Sequence, residues 1–261
     1  MKNILEVKNI SKIYQAPNGE VPALNNVNFK VKQGEFVSIV GPSGCGKSTL
    51  LSIISGLENP TYGKIYIENE EINGVSSHIG YMLQNHNLLE WRDIWSNVTL
   101  GLEVQKKLTK ENLDYVEELL KFYEIDEFKH NYPNQLSGGM CQRAALIRTL
   151  AVKPKILLLD EAFSALDYQT RISIVDYVYK KIKEQFITCL MVTHDIPESI
   201  SMSDRVIVLS NKPGTIKKEF DINFEIEDDS PLARRNHPKF SGYFNLIWKE
   251  LGINEKNQSD D

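Results

Sequence analysis

The stretch Gly41-Pro42-Ser43-Gly44-Cys45-Gly46-Lys47-Ser48 sets three glycines around one lysine and ends in a hydroxyl. Glycines at this spacing let consecutive backbone N–H groups turn inward around phosphate oxygens. The lysine supplies charge to the β and γ phosphates, and the serine offers its hydroxyl to Mg²⁺. Thr49 continues the stretch into KSTLLSIISGL, whose spacing predicts a helix with its positive end on the same phosphates. Ahead of the loop, FVSIV (Phe36 to Val40) is apolar at nearly every position and predicts a strand buried on both faces.

Two acids close a second apolar run, Ile156-Leu-Leu-Leu159-Asp160-Glu161. Carboxylates at the carboxyl end of a parallel strand can hold Mg²⁺ (Asp160) and orient or deprotonate an attacking water (Glu161). His194 and Gln84 each follow a strand-like run, and Tyr14 lies in SKIY. Taken singly, these three suit packing or capping as well as chemistry. In LSGGMCQR, Ser137 can cap a helix whose Gly138-Gly139 start leaves backbone N–H groups open to an anion, and the same pattern suits a plain helix start.

These residues need a scaffold, and the periodicity predicts an α/β one. Ile4 to Val7 and Val27 to Val31 read as strands separated by the turn-rich QAPNGEVP, giving an N-terminal β region. A short β pair, Lys64 to Ile67 and Ile79 to Leu83, ends at Gln84. From about 85 to 155 the segments are helix-like; Leu113, Val116, Leu119, Leu120 and Tyr123 share one face, and so do Met140, Ala144, Ile147 and Ala151. This stretch reads as a helical subdomain inserted into the α/β core. The core resumes at 155–161, continues through a helix over 170–184, and ends with TCLMVTH and RVIVLS. After the KPG turn an acidic extended segment leads to FSGYFNLIWKEL, an amphipathic helix, and to a polar tail. No internal repeat is visible, so one nucleotide-binding unit per chain is expected.

Composition narrows the classes. With 261 residues, 41% hydrophobic and 25% charged, the chain can bury a substantial core. A net charge of −5 provides no basic field for nucleic acid or an anionic bilayer. The apolar runs are strand-sized, short of the ~20 residues a spanning helix needs, and the start MKNILEVKNI lacks the apolar stretch of a secretory signal. Three scattered cysteines without metal-ligand spacing fit a reducing compartment. Cys45 is open to two readings, an oxidation sensor or a small residue at a variable loop position.

In order, Tyr14, GPSGCGKST, Gln84, LSGGM, ILLLDE, SALD (164–167) and His194 resemble the ATPase subunit of an ATP-binding cassette (ABC) transporter over about residues 4 to 215. The resemblance implies a P-loop NTPase (RecA-like) core with an N-terminal antiparallel β subdomain and the inserted α-helical subdomain, residues 1–220, followed by a C-terminal extension, 221–261. It implies ATP and Mg²⁺ as ligands, with Ser48, Gln84 and Asp160 on the metal. Gly41 to Thr49 would bind the phosphates, with Lys47 also counted as catalytic, Tyr14 would stack on adenine, and Glu161 would act as the base. His194 would contact the γ-phosphate. Two subunits of this family meet head to tail, so Ser137, Gly138 and Gly139 would serve the partner's nucleotide and Asp167 would help join the two sites. Met140 departs from the usual Gln; the phosphate contacts of Ser137 and the backbone survive that exchange, so hydrolysis is expected to survive it too.

SGGM, QNHNLLEW (84–91, with Glu90 where Pro is usual) and RVIVLSNKPGTI (205–216) are similar to the importer branch for nitrate, sulfonates, taurine and related small solutes. The partners implied are a second copy of the chain, an integral membrane permease, and indirectly an extracytoplasmic solute-binding protein, with no nucleic acid. Peripheral attachment at the cytoplasmic face of the membrane follows. Leu88, Leu89, Trp91 and Trp95 are expected either to receive a permease helix or to fill the subdomain core. A soluble cassette ATPase without a transport role, and an exporter subunit, remain as alternatives.

Overall fold

The computed structural model describes residues 2–17, 19–164, 166 and 168–252. In chain order its elements are β1 (Asn3–Ala16), β2 (Gly19–Lys32), β3 (Phe36–Val40), α1 (Lys47–Ile54), β4 (Tyr62–Ile67), β5 (Glu70–Glu71), β6 (Ile79–Met82), α2 (Ile94–Val98), α3 (Leu100–Val104), α4 (Lys110–Phe122), α5 (Gly138–Ala151), β7 (Ile156–Asp160), α6 (Tyr168–Glu184), β8 (Thr188–Val192), α7 (Ile196–Met202), β9 (Arg205–Leu209), β10 (Ile216–Asp221), α8 (Pro231–Arg235) and α9 (Phe240–Leu251). They divide into two compact units, Met1–Ser76 with Asp176–Asp261, and Ser77–Val175.

The first unit carries an antiparallel sheet ordered β2-β1-β4-β5. Its leading hairpin is far longer than the two short strands expected from sequence. Register shifts along β1, as between Val7 and Ile10, absorb the NIS interruption without ending the strand, which runs on to Ala16. Pro22 is tolerated because β2 lies at the sheet edge. In the same unit β3 runs parallel to β8 and to β9, and β10 closes antiparallel on β9. All five residues of β3 and of β8 are buried. That explains their unbroken apolar runs, since a strand covered on both faces has no reason to alternate.

In the second unit β6 pairs parallel with β7, and helices α2 to α5 lie between them in the chain. The segments Lys64 to Ile67 and Ile79 to Leu83, grouped as a pair in the sequence, are therefore not partners: β4 pairs with β1, and β6 with β7. Strand periodicity cannot name a partner, which is why the grouping failed. On α4, Val116, Leu119 and Leu120 are buried, followed by Tyr123, while Leu113 is half-buried. On α5, Ala144, Ile147 and Ala151 are buried and Met140 is half-buried.

The C-terminal segment packs on the first unit. Ile247 of α9 is fully buried with Val40, Ile196, Ile200 and Val208, a burial that contributes ~1.5–3 kcal/mol for a side chain of this size. Ahead of it, the buried Arg234 guanidinium clasps Asp229 (both bonds 2.6 Å) and donates to the Ser203 carbonyl (2.7 Å) and to the Tyr179 hydroxyl (2.9 Å). Paired and bonded in this way, the charge can stay buried. The short helices α7 and α8 were not anticipated, because five to seven residues are too few to display a period.

Candidate functional site

In the first unit the loop between β3 and α1 is held from several sides. Gly46 has φ +100°, and a Cβ there would lie 2.7 Å from Leu24 Cδ2 and 2.9 Å from the Ala23 carbonyl oxygen of β2; Gly44 has φ +74°. Both need glycine's freedom. The α1 N-cap at Gly46 makes no side-chain hydrogen bond, so a polar ligand meets backbone N–H groups without a competing cap. Lys47 is buried, and its Nζ donates to the Gly41 carbonyl (2.8 Å) and the Pro42 carbonyl (2.9 Å) across the loop mouth. Ser43 and Ser48 are exposed, and Thr49 is half-buried.

Cys45 is 1% exposed. Burial pushes its thiol up, although Lys47 pulls the other way, which disfavours the thiolate that oxidation needs. The filler reading therefore fits better than the sensor. Beneath it, the KPG turn supplies a support that motif reading passed over. A Cβ on Gly214 would fall 2.2 Å from the Cys45 carbonyl oxygen, and Gly214 N–H donates to the Ala23 carbonyl (2.9 Å). The glycine of RVIVLSNKPGTI is thus needed for close approach to the phosphate loop.

Tyr14 is tied to α1 and the segment after it. Its hydroxyl donates to Glu58 Oε2 (2.8 Å) and lies 3.3 Å from Thr49 Oγ1, while Lys12 Nζ stands 5.0 Å from the ring centroid. Burial pushes the phenol up, so the ring stays neutral. His194, exposed, precedes Asp195, whose side chain caps α7 by accepting from Glu198 N (2.9 Å).

In the second unit Asp160, 3% exposed, ends β7, and the Tyr81 hydroxyl lies 3.4 Å from its Oδ2. Glu161 leaves the strand with φ +49°, a left-handed conformation for a non-glycine residue. Such strain is found where a site holds a side chain in place. Gln84 Nε2 donates to Glu161 Oε2 at 3.1 Å, so two residues 77 positions apart in sequence meet here. Gln142, missed in the sequence reading, is buried and donates to the Ala162 carbonyl (3.0 Å), joining α5 to the backbone beside Glu161. The one signal for it was a polar residue among the apolar positions of that helix.

Ser137 caps α5 by accepting from Met140 N (3.3 Å). Ser137 and Gly138 are exposed, and a Cβ on Gly138 would meet nothing within 4 Å. Asp167 lies outside the described residues. Leu88, Leu89, Trp91 and Trp95 divide: Leu88 is buried, Leu89 and Trp95 are half-buried, and Trp91 is 74% exposed. Buried Asn97 builds that turn, its Nδ2 donating to the carbonyls of Leu89, Arg92 and Asp93 at 3.0–3.1 Å. Arg148 fastens the stretch after Gln84 through the His86 and Asn87 carbonyls, both at 2.7 Å.

A family model described as ABC transporter matches residues 24–164. The chain belongs to the ABC transporter family. As a member it binds nucleotide and is an ATPase, and its fold is that of the P-loop nucleoside triphosphatases. It is 44% identical over 98% of both chains to an uncharacterized ABC transporter ATP-binding protein, YtlC, of Bacillus subtilis. It is 37% identical, again over 98% of both, to the nitrate import ATP-binding protein NrtD of Synechocystis. An aliphatic sulfonates import ATP-binding protein, SsuB of Bacillus thuringiensis, is 39% identical over 84% of this chain and 86% of its own. Among solved structures, a dimeric post-hydrolysis state of the ATP-binding cassette MJ0796 bound to ADP and Pi superposes with a TM-score of 0.77 at 36% identity, covering 84% of this ATPase and 99% of that chain.

No helix among the described residues of this ATPase is long and apolar enough to cross a membrane. The candidate metal ligands Ser48, Gln84 and Asp160 bring a hydroxyl, an amide oxygen and a carboxylate. This is the hard-oxygen set that suits Mg²⁺, and Asp160 is the buried acid among them.

Proposed function

We propose that this ATPase powers uptake of a small oxyanionic solute, nitrate or a sulfonate such as taurine, as a homodimer attached to a membrane permease at the cytoplasmic face. The observation that carries the dimer is the exposed α5 N-terminus: Ser137 and Gly138 face solvent and end a helix with open backbone N–H groups. The proposed roles follow the chemistry of each group. Gly41 to Thr49 wrap the phosphates, Lys47 neutralises charge, and Tyr14 supplies a ring for adenine. Ser48, Gln84 and Asp160 hold Mg²⁺, which when bound neutralises developing charge on the phosphates. Glu161 takes the proton of the attacking water, and Gln84, bonded to it, reports the state of the site. His194 contacts the γ-phosphate. Ser137, Gly138 and Gly139 serve the partner's nucleotide, and the α5 anchor Gln142 relays their position to the backbone beside Glu161.

The domain reading that goes with these roles is an ATPase domain over 1–220, a helical subdomain over about 85–155, and an extension over 221–261. Closing such a dimer from 99% open to 99% closed takes ~5.5 kcal/mol, and charged hydrogen bonds of about 1.5–3 kcal/mol each reach that with about two to four per dimer. Loss of the γ-phosphate removes them. The import direction rests on the similarity to the nitrate and sulfonate import proteins and on exposed Trp91, a surface apt for a permease helix.

The deciding experiment is Glu161→Gln with ATP and Mg²⁺. Hydrolysis should fall by about 10²-fold or more, and a stable dimer should elute in gel filtration. An unchanged rate would sink the base assignment, and a monomer would sink the dimer. Thermal shift of the associated solute-binding protein against nitrate, sulfonates and taurine identifies the solute.

A further inference from the structure

Tyr14 lies where its strand is least secured by the sheet. Pairing of β1 with β4 ends at Ser11 and Tyr62, and β1 shifts register against β2 on either side of Lys12. The end of this hairpin is tied sideways instead, to residues 58–61 in the turn that follows α1. Ile13 N–H donates to Thr61 Oγ1 (2.9 Å), Thr61 N–H to the Ser11 carbonyl (2.8 Å), and Lys12 Nζ to the Asn59 carbonyl (2.7 Å).

Glu58 is the centre of these ties. Its Oε2 accepts from the Tyr14 hydroxyl (2.8 Å) and its Oε1 pairs with Lys12 Nζ (3.0 Å), so both carboxylate oxygens are engaged and the group cannot turn away from the ring. The same ammonium stands over one face of the Tyr14 ring, 5.0 Å from its centroid, which leaves the opposite face for a base. The Tyr14 hydroxyl also lies 3.3 Å from Thr49 Oγ1 in the first turn of α1. The ring is thus fixed to α1 at its start through Thr49 and beyond its end through Glu58, and its distance from the phosphate loop is set before any nucleotide arrives. A ring free to turn would have to be ordered on binding, which for one such side chain lowers affinity by about two- to tenfold.

We infer that Glu58, with Lys12 as its counter-ion, is a positioning residue for the nucleobase: it holds the Tyr14 ring ready for stacking, and so raises nucleotide affinity while taking no part in hydrolysis. This rests on the role proposed above for Tyr14. A tie that served only to hold the hairpin on α1 would act on the phosphate loop as well, and a ligand with phosphates and no base tells the two apart.

The test follows hydrolysis by the full chain with ATP and Mg²⁺, with tripolyphosphate as the competing inhibitor that lacks a base. Glu58→Ala should raise KM for ATP by about two- to tenfold with kcat unchanged, the mark of binding lost equally from ground and transition states. It should leave the tripolyphosphate inhibition constant as in the parent. Glu58→Gln keeps an acceptor for the hydroxyl and should recover most of the parent's KM. Tyr14→Phe keeps the ring and deletes the hydroxyl; it should match Glu58→Ala, and the double variant should be little worse than either, since both changes remove one hydrogen bond. Should Glu58→Ala fail to fold, Tyr14→Phe decides. A parent-like KM in Glu58→Ala or Tyr14→Phe, a fall in kcat, a tripolyphosphate constant that rises in step with KM, no recovery in Glu58→Gln, or fully additive effects would each overturn the inference. Tyr14→Ala separates it from the reading beneath: a raised KM there with an unmoved Glu58→Ala strikes Glu58 alone, and a parent-like KM in Tyr14→Ala strikes the base-stacking role itself.

Discussion

The two stretches proposed to meet phosphate are built in opposite ways. Residues 41–49 are wrapped by their own unit: Gly41, Cys45 and Lys47 are buried, Leu24 and the Ala23 carbonyl press on Gly46, and Gly214 presses on Cys45. Residues 137–140 stand on a helix end with open space around Gly138, supported by a single cap and by the α5 anchors Gln142 and Arg148. A loop that wraps its part of a ligand from within one chain can be held on all sides by its neighbours. A stretch that shares a ligand with another molecule has to leave its polar face unoccupied.

The contrast can be broken most severely at the loop. Lys47→Ala should lower kcat by about 10²–10³-fold, the cost of losing one charge-stabilising donor, with secondary structure by circular dichroism unchanged. Mixing Lys47→Ala chains with chains carrying Ser137→Ala and Gly139→Val then separates the two stretches: each variant alone should be nearly inactive, and the mixture should regain measurable hydrolysis, because one of the two sites in a mixed dimer is intact. A mixture no better than its components would mean that the signature stretch serves its own chain.

Stability effects sharpen the comparison further. Gly46→Ala forces a side chain into a left-handed backbone against β2 and should lower stability by about 1–3 kcal/mol, read as a lower denaturant midpoint. Ser137→Ala alone removes the α5 cap and should cost ~1 kcal/mol. Gly138→Ala meets no neighbour, and alanine's helix preference should leave stability the same or raise it by up to about 1 kcal/mol. A loss at Gly138 comparable to that at Gly46 would erase the distinction between a self-supported loop and an open one.

Much of this was legible in the residues themselves. The run FVSIV, the glycine loop and the helix after it were readable because a doubly buried strand and a three-glycine turn each leave a local mark. The helical period of α4, α5 and α9 was readable for the same reason. Residues without a local mark were missed. Gln142 and Asn97 look like ordinary helix polars until their carbonyl partners are seen. Leu88 and Trp91, three positions apart in one apolar cluster, point to core and solvent respectively because Asn97 fixes the turn between them.

Sequence alone determined the chemistry: which side chains could meet phosphate, metal and water, and in what order they occur. Spacing within a loop or along one helix face is a local property, set by backbone geometry over a few residues. The tertiary structure decided which of these residues are held and which are left open. It joined Gln84 to Glu161, pressed Gly214 onto the phosphate loop, and set the aromatic face of α9 beside His194. Those pairings join residues far apart in the chain, and only the burial of a common core specifies them.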